Sequence, residues 1–326
     1  MQAKNQKIVV LGTGGTIAGK SSSSDEGLSY RAAQLSIDEL LKAIVGTNQS
    51  LPQSLENIEL IAEQVSQLDS KDMDFVTWRL LAQRCEHWMS QTDVKAVVVT
   101  HGTDTLEETA YFLSRVIGFQ KPIVLTCAMR PANFQHADGP QNLRDALNVA
   151  AKFRGRGVWL VAAGEIHHSQ FVQKIHPTRI NAFDSGESGV AATVINDVIQ
   201  MSSDFKEPEA HSPSPLDALP DPENWPWVEI IMNHVQASSR LVSVMVTAGV
   251  QGIVVAGTGN GAVSSSLLKG LQQAHKQGIQ IRLATRCNQG PVLPTDGHAF
   301  KADSGLSPVK TRVALMLDMM SKQQSH

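Results

Sequence analysis

Two short stretches of this chain put hydroxyls directly after runs of β-branched residues. The first is Leu11-Gly-Thr-Gly-Gly-Thr-Ile-Ala-Gly-Lys-Ser21, which follows Ile8-Val-Val; the second is Thr100-His-Gly-Thr-Asp-Thr-Leu-Glu-Glu108, which follows Val97-Val-Val. A threonine hydroxyl is a weak nucleophile and needs a neighbouring base or cation to activate it. Thr16, with Thr13 beside it, and Thr103 are therefore the candidates for covalent chemistry. The groups able to activate them are the phenol of Tyr30 and a lysine such as Lys174, in Phe171-Val-Gln-Lys-Ile-His176. Asp104 adds a carboxylate at the mouth of a helix whose first N–H groups carry partial positive charge. That combination could hold an amino acid by its charged α-groups and supply oxyanion donors. Thr105 and Glu108 also have capping-box spacing, which reads the stretch as a plain helix cap but leaves Thr103 and Asp104 unexplained.

The first stretch carries a competing pattern, because Gly14–Ser21 satisfies G-x-x-x-x-G-K-[ST], the phosphate-cradling loop, with Lys20 as its lysine. A loop of that kind opens a helix, so that backbone N–H groups converge on the phosphate. The residues after Ser21 are Ser, Asp, Glu and Gly with no helical periodicity, and no apolar run ends in a magnesium-binding aspartate. A nucleotide-binding module is thus the alternative. The preferred reading is a pair of strand ends at the carboxyl edge of a sheet, where open α/β sheets collect ligands. The serine-rich tract with Gly27 is expected to be a flexible cover that brings Tyr30 over the site.

Strands that end in such loops have to sit side by side. Apolar runs at Ile8–Leu11, Ile58–Ala62, Ala96–Val99, Pro122–Thr126 and Val158–Ala163 alternate with helical patterns at Ser36–Val45, Asp72–Met89, Leu106–Val116 and Gly139–Phe153. Strands apolar on both faces between amphipathic helices predict an α/β fold, with a mostly parallel sheet flanked by helices. Residues 173–183 and 189–199 read as strands and turns. Six of the fourteen prolines fall within residues 206–226, which reads as a linker. Beyond it lies a smaller α/β series: strands at Glu229–Met232, Gly252–Ala256 and Ile279–Ala284, with helices at Arg240–Val246, Ser264–His275 and Pro308–Met320. The expected domains are therefore 1–205, catalytic, and 227–326, α/β, joined by the linker 206–226. The length of 326 residues suits two domains at roughly 100–200 residues each.

The formal charge of −3, with no block of like charges, gives no reason to expect a nucleic-acid or membrane-surface partner. Cys85, Cys127 and Cys287 are odd in number and lack C-x-x-C spacing, which argues against a disulfide framework or a zinc site. The polar N-terminus leads into an apolar run too short for a signal peptide, and no stretch approaches ~20 apolar residues, so a cytoplasmic protein is expected. His167, His168 and His176 lack metal-site spacing and read as surface histidines. Gly186-Glu-Ser-Gly189 reads as a turn, and Trp225 and Trp227 as core anchors of the second domain.

In this order, Thr13-Gly-Gly-Thr-Ile-Ala-Gly19, Asp69-Ser-Lys-Asp-Met73, His101-Gly-Thr-Asp-Thr-Leu106, Ala128-Met-Arg-Pro131, Ala137-Asp-Gly-Pro-Gln-Asn142 and Gly257-Thr-Gly-Asn-Gly261 resemble the signatures of the bacterial-type L-asparaginases and glutaminase-asparaginases. The resemblance covers essentially the whole chain. It implies hydrolysis of L-asparagine to L-aspartate and ammonia through an acyl-threonine, with no cofactor and with a lesser glutaminase activity. It assigns Thr16 as first-choice nucleophile with Tyr30 as its partner, and Thr103, Lys174 and Asp104 as a second triad. Ser70 matches the position that meets the α-carboxylate and Asp104 the α-ammonium. Lys71 stands where many relatives place a glutamine or glutamate at the substrate's amino group. Asn260 matches a residue contributed across a subunit interface, and the resemblance implies a homotetramer built as a dimer of close dimers. The glutamate that some secreted relatives supply in trans has no clear counterpart between Thr285 and Thr295.

Overall fold

A computed structural model of the protein describes residues 6–21, 30–45, 51–118, 121–153, 155–205, 207–208, 214–303 and 305–323. The expected cover at 22–29 lies outside them, as does part of the expected linker. By internal contacts the chain divides into a unit ending at Leu216 and a unit beginning at Asp217.

The first unit contains β1 (Gln6–Gly14), β2 (Lys20–Ser21), β3 (Tyr30–Arg31), α1 (Ile37–Val45), β4 (Ile58–Leu68), α2 (Phe75–Met89), β5 (Val94–Thr100), α3 (Leu106–Val116), β6 (Pro122–Thr126), α4 (Gly139–Lys152), β7 (Gly157–Ala162), β8 (Glu165–His168), β9 (Gln173–Lys174), β10 (Phe183–Asp184), β11 (Ala192–Ile195) and β12 (Val198–Met201). Among the described residues, eight of these strands form one sheet in the order β12-β11-β8-β7-β6-β5-β1-β4. The five from β4 to β7 run parallel and the last three antiparallel. The mainly parallel sheet expected from sequence is present.

Period-2 alternation divides the buried strand residues between two helical layers. Ile8, Val10, Ala96, Val98 and Val124 share a core with Ile37, Leu40 and Ile44 of α1 and Leu143, Leu147 and Ala150 of α4. The helices α2 and α3 pack on β5 and β7 and on each other. Asp74 starts α2 by accepting the Thr77 N–H at 2.7 Å, so this helix begins later than the periodicity suggested.

The parallel order 4-1-5-6-7 has one consequence for the site. From β1 the chain passes to β4 on one side and then returns to β5 on the other, which makes the gap between β1 and β5 the switch point of the sheet. The loops leaving the carboxyl ends of these two strands diverge to opposite faces and leave a crevice between them.

The second unit is a three-stranded parallel sheet, β13 (Val228–Met232), β14 (Gly252–Gly257) and β15 (Gln280–Thr285), in that order. Ile253 and Val255 pack with Val242 and Met245 of α5 (Ser239–Thr247) and Leu267 and Leu271 of α6 (Ser265–Lys276). Gly252, on the opposite face, meets Leu315 of α7 (Pro308–Gln323), so α7 closes the other side. Trp225 is buried, its indole N–H donating to the Pro220 carbonyl at 2.9 Å; Trp227, expected in the core, is 40% exposed because its ring lies along the strand edge beside Glu229. Among the described residues no helix is long and apolar enough to cross a membrane.

Candidate active site

The two hydroxyl-bearing loops meet backbone to backbone at the switch point. Gly15 follows β1 with φ of 78°, and a Cβ there would stand 2.3 Å from the Gly102 Cα. A Cβ on Gly102 would in turn stand 2.5 Å from Ser70 Oγ, at the end of β4. Three loops from three adjacent strands therefore converge on a contact that only hydrogen atoms can fill. Ser70 secures the junction twice: its Oγ accepts the Asp104 N–H at 3.1 Å and its carbonyl accepts the Thr105 hydroxyl at 2.7 Å. The Thr105 side chain thus fastens α3 to the β4 loop and makes no capping bond, contrary to the capping-box spacing.

Thr13 and Thr16 have different surroundings. The Thr13 hydroxyl donates to the Thr100 carbonyl at 2.9 Å and is buried between β1 and β5. Thr16 sits in a single 3-10 turn, Thr16–Ala18, with its Oγ1 2.6 Å from the Tyr30 hydroxyl. After that turn Lys20–Ser21 is extended and pairs with Tyr30–Arg31, so no helix follows the glycine-rich loop and the nucleotide-binding alternative is overturned. The same antiparallel pair delivers Tyr30 to Thr16, because the phenol ring lies over Gly19, where a Cβ would stand 3.0 Å from Tyr30 Cδ2.

On the other side of the crevice, the Lys174 ammonium donates to Thr103 Oγ1 at 2.7 Å and to Asp104 Oδ1 at 2.6 Å. The lysine enters from β9, whose backbone N–H at Lys174 donates to Glu107 of α3 at 3.2 Å. Thr16, Tyr30, Thr103, Asp104 and Lys174 all line one cleft of about 420 Å³. Met129, Arg130, Phe134, Pro177 and Thr178 complete the lining; the first two belong to the Ala128–Pro131 motif, to which no role was given, and the other three were not singled out from sequence. Met129 and Arg130 leave the carboxyl end of β6, the next strand along, which is the positional signal that could have marked them. Asp138 holds that loop by accepting both their N–H groups at 2.9 Å.

Of the remaining expected site residues, Ser70 is buried beneath Asp104. Lys71 is 61% exposed, its ammonium 2.7 Å from Asp69 and 3.3 Å from Asp72, and it does not line the cleft. Asn260 belongs to the second unit, where its amide spans Leu293: Oδ1 accepts the Leu293 N–H at 2.6 Å and Nδ2 donates to the Leu293 carbonyl at 3.0 Å.

Beneath Gly102 lies a chain of buried hydrogen bonds. The Trp78 indole donates to Thr109 Oγ1 at 2.8 Å, Thr109 faces His101 Nε2 at 3.0 Å, and His101 Nδ1 faces the Gly102 carbonyl at 2.7 Å. Since indole only donates and a carbonyl only accepts, His101 carries its proton on Nδ1. Burial pushes this imidazole down to about 4, so it stays neutral.

Residues 7–207 match the family model described as Asparaginase, N-terminal, and residues 227–326 match the Glutaminase/Asparaginase C-terminal domain. L-asparaginase 2 of Bacillus subtilis is 35% identical over 95% of this chain and 81% of its own length. The glutaminase-asparaginase of Pseudomonas fluorescens biotype A is 32% identical over 99% of this chain and 89% of its own. The crystal structure of a probable cytoplasmic L-asparaginase from Campylobacter jejuni superposes with a TM-score of 0.87 at 31% identity, covering 98% of each chain.

Proposed function

This chain belongs to the asparaginase family over both of its halves, and from that premise we propose that it hydrolyses L-asparagine to L-aspartate and ammonia through an ester on Thr16. The observation that carries the reading is the cleft itself: two threonine hydroxyls on adjacent strand ends, each bonded to its own partner, face one space.

Thr16 Oγ1 attacks the side-chain amide carbon. Its proton passes to the Tyr30 oxygen as the phenol gives its own to the leaving nitrogen, so ammonia departs and the aspartyl ester remains. Water then cleaves the ester in the reverse proton relay, oriented by Thr103. An ammonium that donates to Thr103 stabilises negative charge on that oxygen but cannot take its proton, which favours Thr16 as the nucleophile over Thr103. Backbone N–H groups near Thr103 receive the developing oxyanion. Asp104, half-exposed to the cleft, takes the substrate's α-ammonium, and Ser70, whose oxygen accepts the Asp104 N–H, directs its own proton to the α-carboxylate. Lys71 stays paired with Asp69 and Asp72 outside the cleft.

Buried polar groups matched to a zwitterion reject analogues lacking one charge by ~10⁴-fold, whereas one methylene is worth only ~1–3 kcal/mol. Glutamine is therefore a slower substrate by degree. We further read the enzyme as cytoplasmic and as a homotetramer of close dimers, with Asn260 serving a neighbouring subunit's site. The chemical step is tested by acid quench of a Thr103→Val variant during turnover, followed by peptide mass mapping. An aspartyl adduct on the peptide containing Thr16 is expected; an adduct on another residue, or none with turnover intact, would contradict the mechanism.

A further inference from the structure

His167 was expected at the surface, yet it is 1% exposed, on β8 opposite Leu160 of β7. Its Nδ1 lies 2.9 Å from Ser185 Oγ and its Nε2 lies 3.4 Å from Glu165 Oε2. The carboxylate favours a proton on the nitrogen that faces it, which leaves Nδ1 to accept the Ser185 hydroxyl proton. Carboxylate, imidazole and hydroxyl in this order form a hydrolytic triad when the hydroxyl faces a substrate. Here Ser185 is 5% exposed and lines no part of the cleft, so the three groups make a tether.

The tether ends beside Lys174. Ser185 directly follows β10, whose ladder with β9 has two residue pairs, Phe183 opposite Lys174 and Asp184 opposite Gln173. An isolated pair of strands is marginal in water at best, and this one is very short. The Ile175 N–H adds one bond to the Ala182 carbonyl at 2.8 Å. The pair is then held from two sides: Lys174 N–H to Glu107 on α3, and Ser185 to His167 on the main sheet. Ser185 precedes the 3-10 turn Gly186–Ser188 without making a side-chain cap bond there, so its hydroxyl serves the imidazole. Lys174 must place one ammonium within hydrogen-bond reach of both Thr103 and Asp104, and a displacement of about 1 Å at such a site can cost ~10²-fold in rate.

We propose that His167 and Ser185, with Glu165 orienting the imidazole, are positioning residues that hold the β9–β10 pair so that Lys174 meets Thr103. This inference rests on the reading of Lys174 as a catalytic group. Ser185→Ala and His167→Leu each remove the bond with little change in volume. Each is expected to lower kcat about tenfold per folded molecule, with KM changing less than threefold, because Asp104 and Ser70, which take the substrate's charged groups, stand on the loops after β5 and β4 and are not carried by β9. His167→Asn places an amide oxygen near the old Nδ1 position and is expected to recover at least half of the wild-type rate. A purely stabilising role would instead lower the folded fraction and leave kcat per folded molecule unchanged. In a Lys174→Met background neither variant should reduce the residual rate further, since they act through the lysine. If Lys174→Met is slow while Ser185→Ala and His167→Leu run within twofold of wild type, or if their losses multiply with that of Lys174→Met, the inference is overturned and the Lys174 reading survives. If Lys174→Met itself runs at the wild-type rate, the reading of Lys174 fails, and the inference with it.

Discussion

Thr13, Thr16 and Thr103 all follow strand ends, but their hydroxyls have different partners. Thr13 donates into the β5 backbone, whereas the other two face the cleft. Thr16→Ala is accordingly expected to lower kcat by at least ~10³-fold while isothermal titration still detects aspartate binding, and Thr13→Val to keep most activity at a stability loss of about 1 kcal/mol. Near-wild-type turnover in the Thr16 variant would remove its assigned role. The residue types at these positions were legible in the sequence, but the distinction between Thr13 and Thr16 was not, because it depends on a carbonyl 87 residues away. The same long-range dependence hid the burial of His167 and the place of Met129 and Arg130 in the lining. Two buried groups set opposite acid responses. His101 takes its proton near 6.5 when unfolded and near 4 when folded, so the unfolded state binds more protons between those values. Its contribution is complete above about pH 6.5 and is lost as pH falls toward 4, by up to about 3 kcal/mol. Burial raises Asp145 from 3.8 to about 6, so there the folded state holds the extra proton and stability declines as pH rises through that range. Asp145→Asn removes the opposing contribution. Denaturant unfolding between pH 4.5 and 7 should therefore show a steeper rise of stability with pH in that variant than in the wild type. Equal slopes would contradict these assignments.

The loops after β1, β4 and β5 position the chemistry through a backbone contact, and the elements that carry them are those the apolar runs predicted. What the runs missed has a common cause. The run ending at Ala62 continues as β4 to Leu68, an edge strand in which Glu63-Gln-Val-Ser-Gln-Leu68 is mostly polar and only partly buried. The apolar run breaks where two polar residues, Glu63 and Gln64, follow each other. The glycine-rich loop matched a phosphate-binding pattern by spacing, and the extended backbone at Lys20–Ser21 agrees with the missing helical periodicity in separating the two. Gly102 is the sharpest test at this scale. Gly102→Ala would drive a methyl group into Ser70 and Gly15, with an expected loss of about 2–4 kcal/mol of stability and over ~10²-fold in kcat/KM. Thermal unfolding together with steady-state kinetics would measure both. A variant with unchanged kinetics would show that the close approach of the loops is not needed.

A net charge of −3 over 326 residues provides no strong field, which suits a small zwitterion recognised by a few local groups. Asn260 and the Thr16 cleft lie in different units of the chain. If one subunit's Asn260 completes another's site, mixing Thr16→Ala chains with Asn260→Ala chains and letting them reassemble should restore activity to about a quarter of wild type. This follows because random pairing gives roughly one site in four with both residues intact. No recovery after demonstrated exchange would assign Asn260 to its own chain or to structure alone. Threonine-based amide hydrolysis is read out by ammonia release measured side by side with L-asparagine and L-glutamine, from micromolar to tens of millimolar, without added nucleotide or metal. Stoichiometric ammonia and aspartate from asparagine, slower release from glutamine, and loss of both in Thr16→Ala are expected. No ammonia from either amide, or an undiminished rate in that variant, would contradict it.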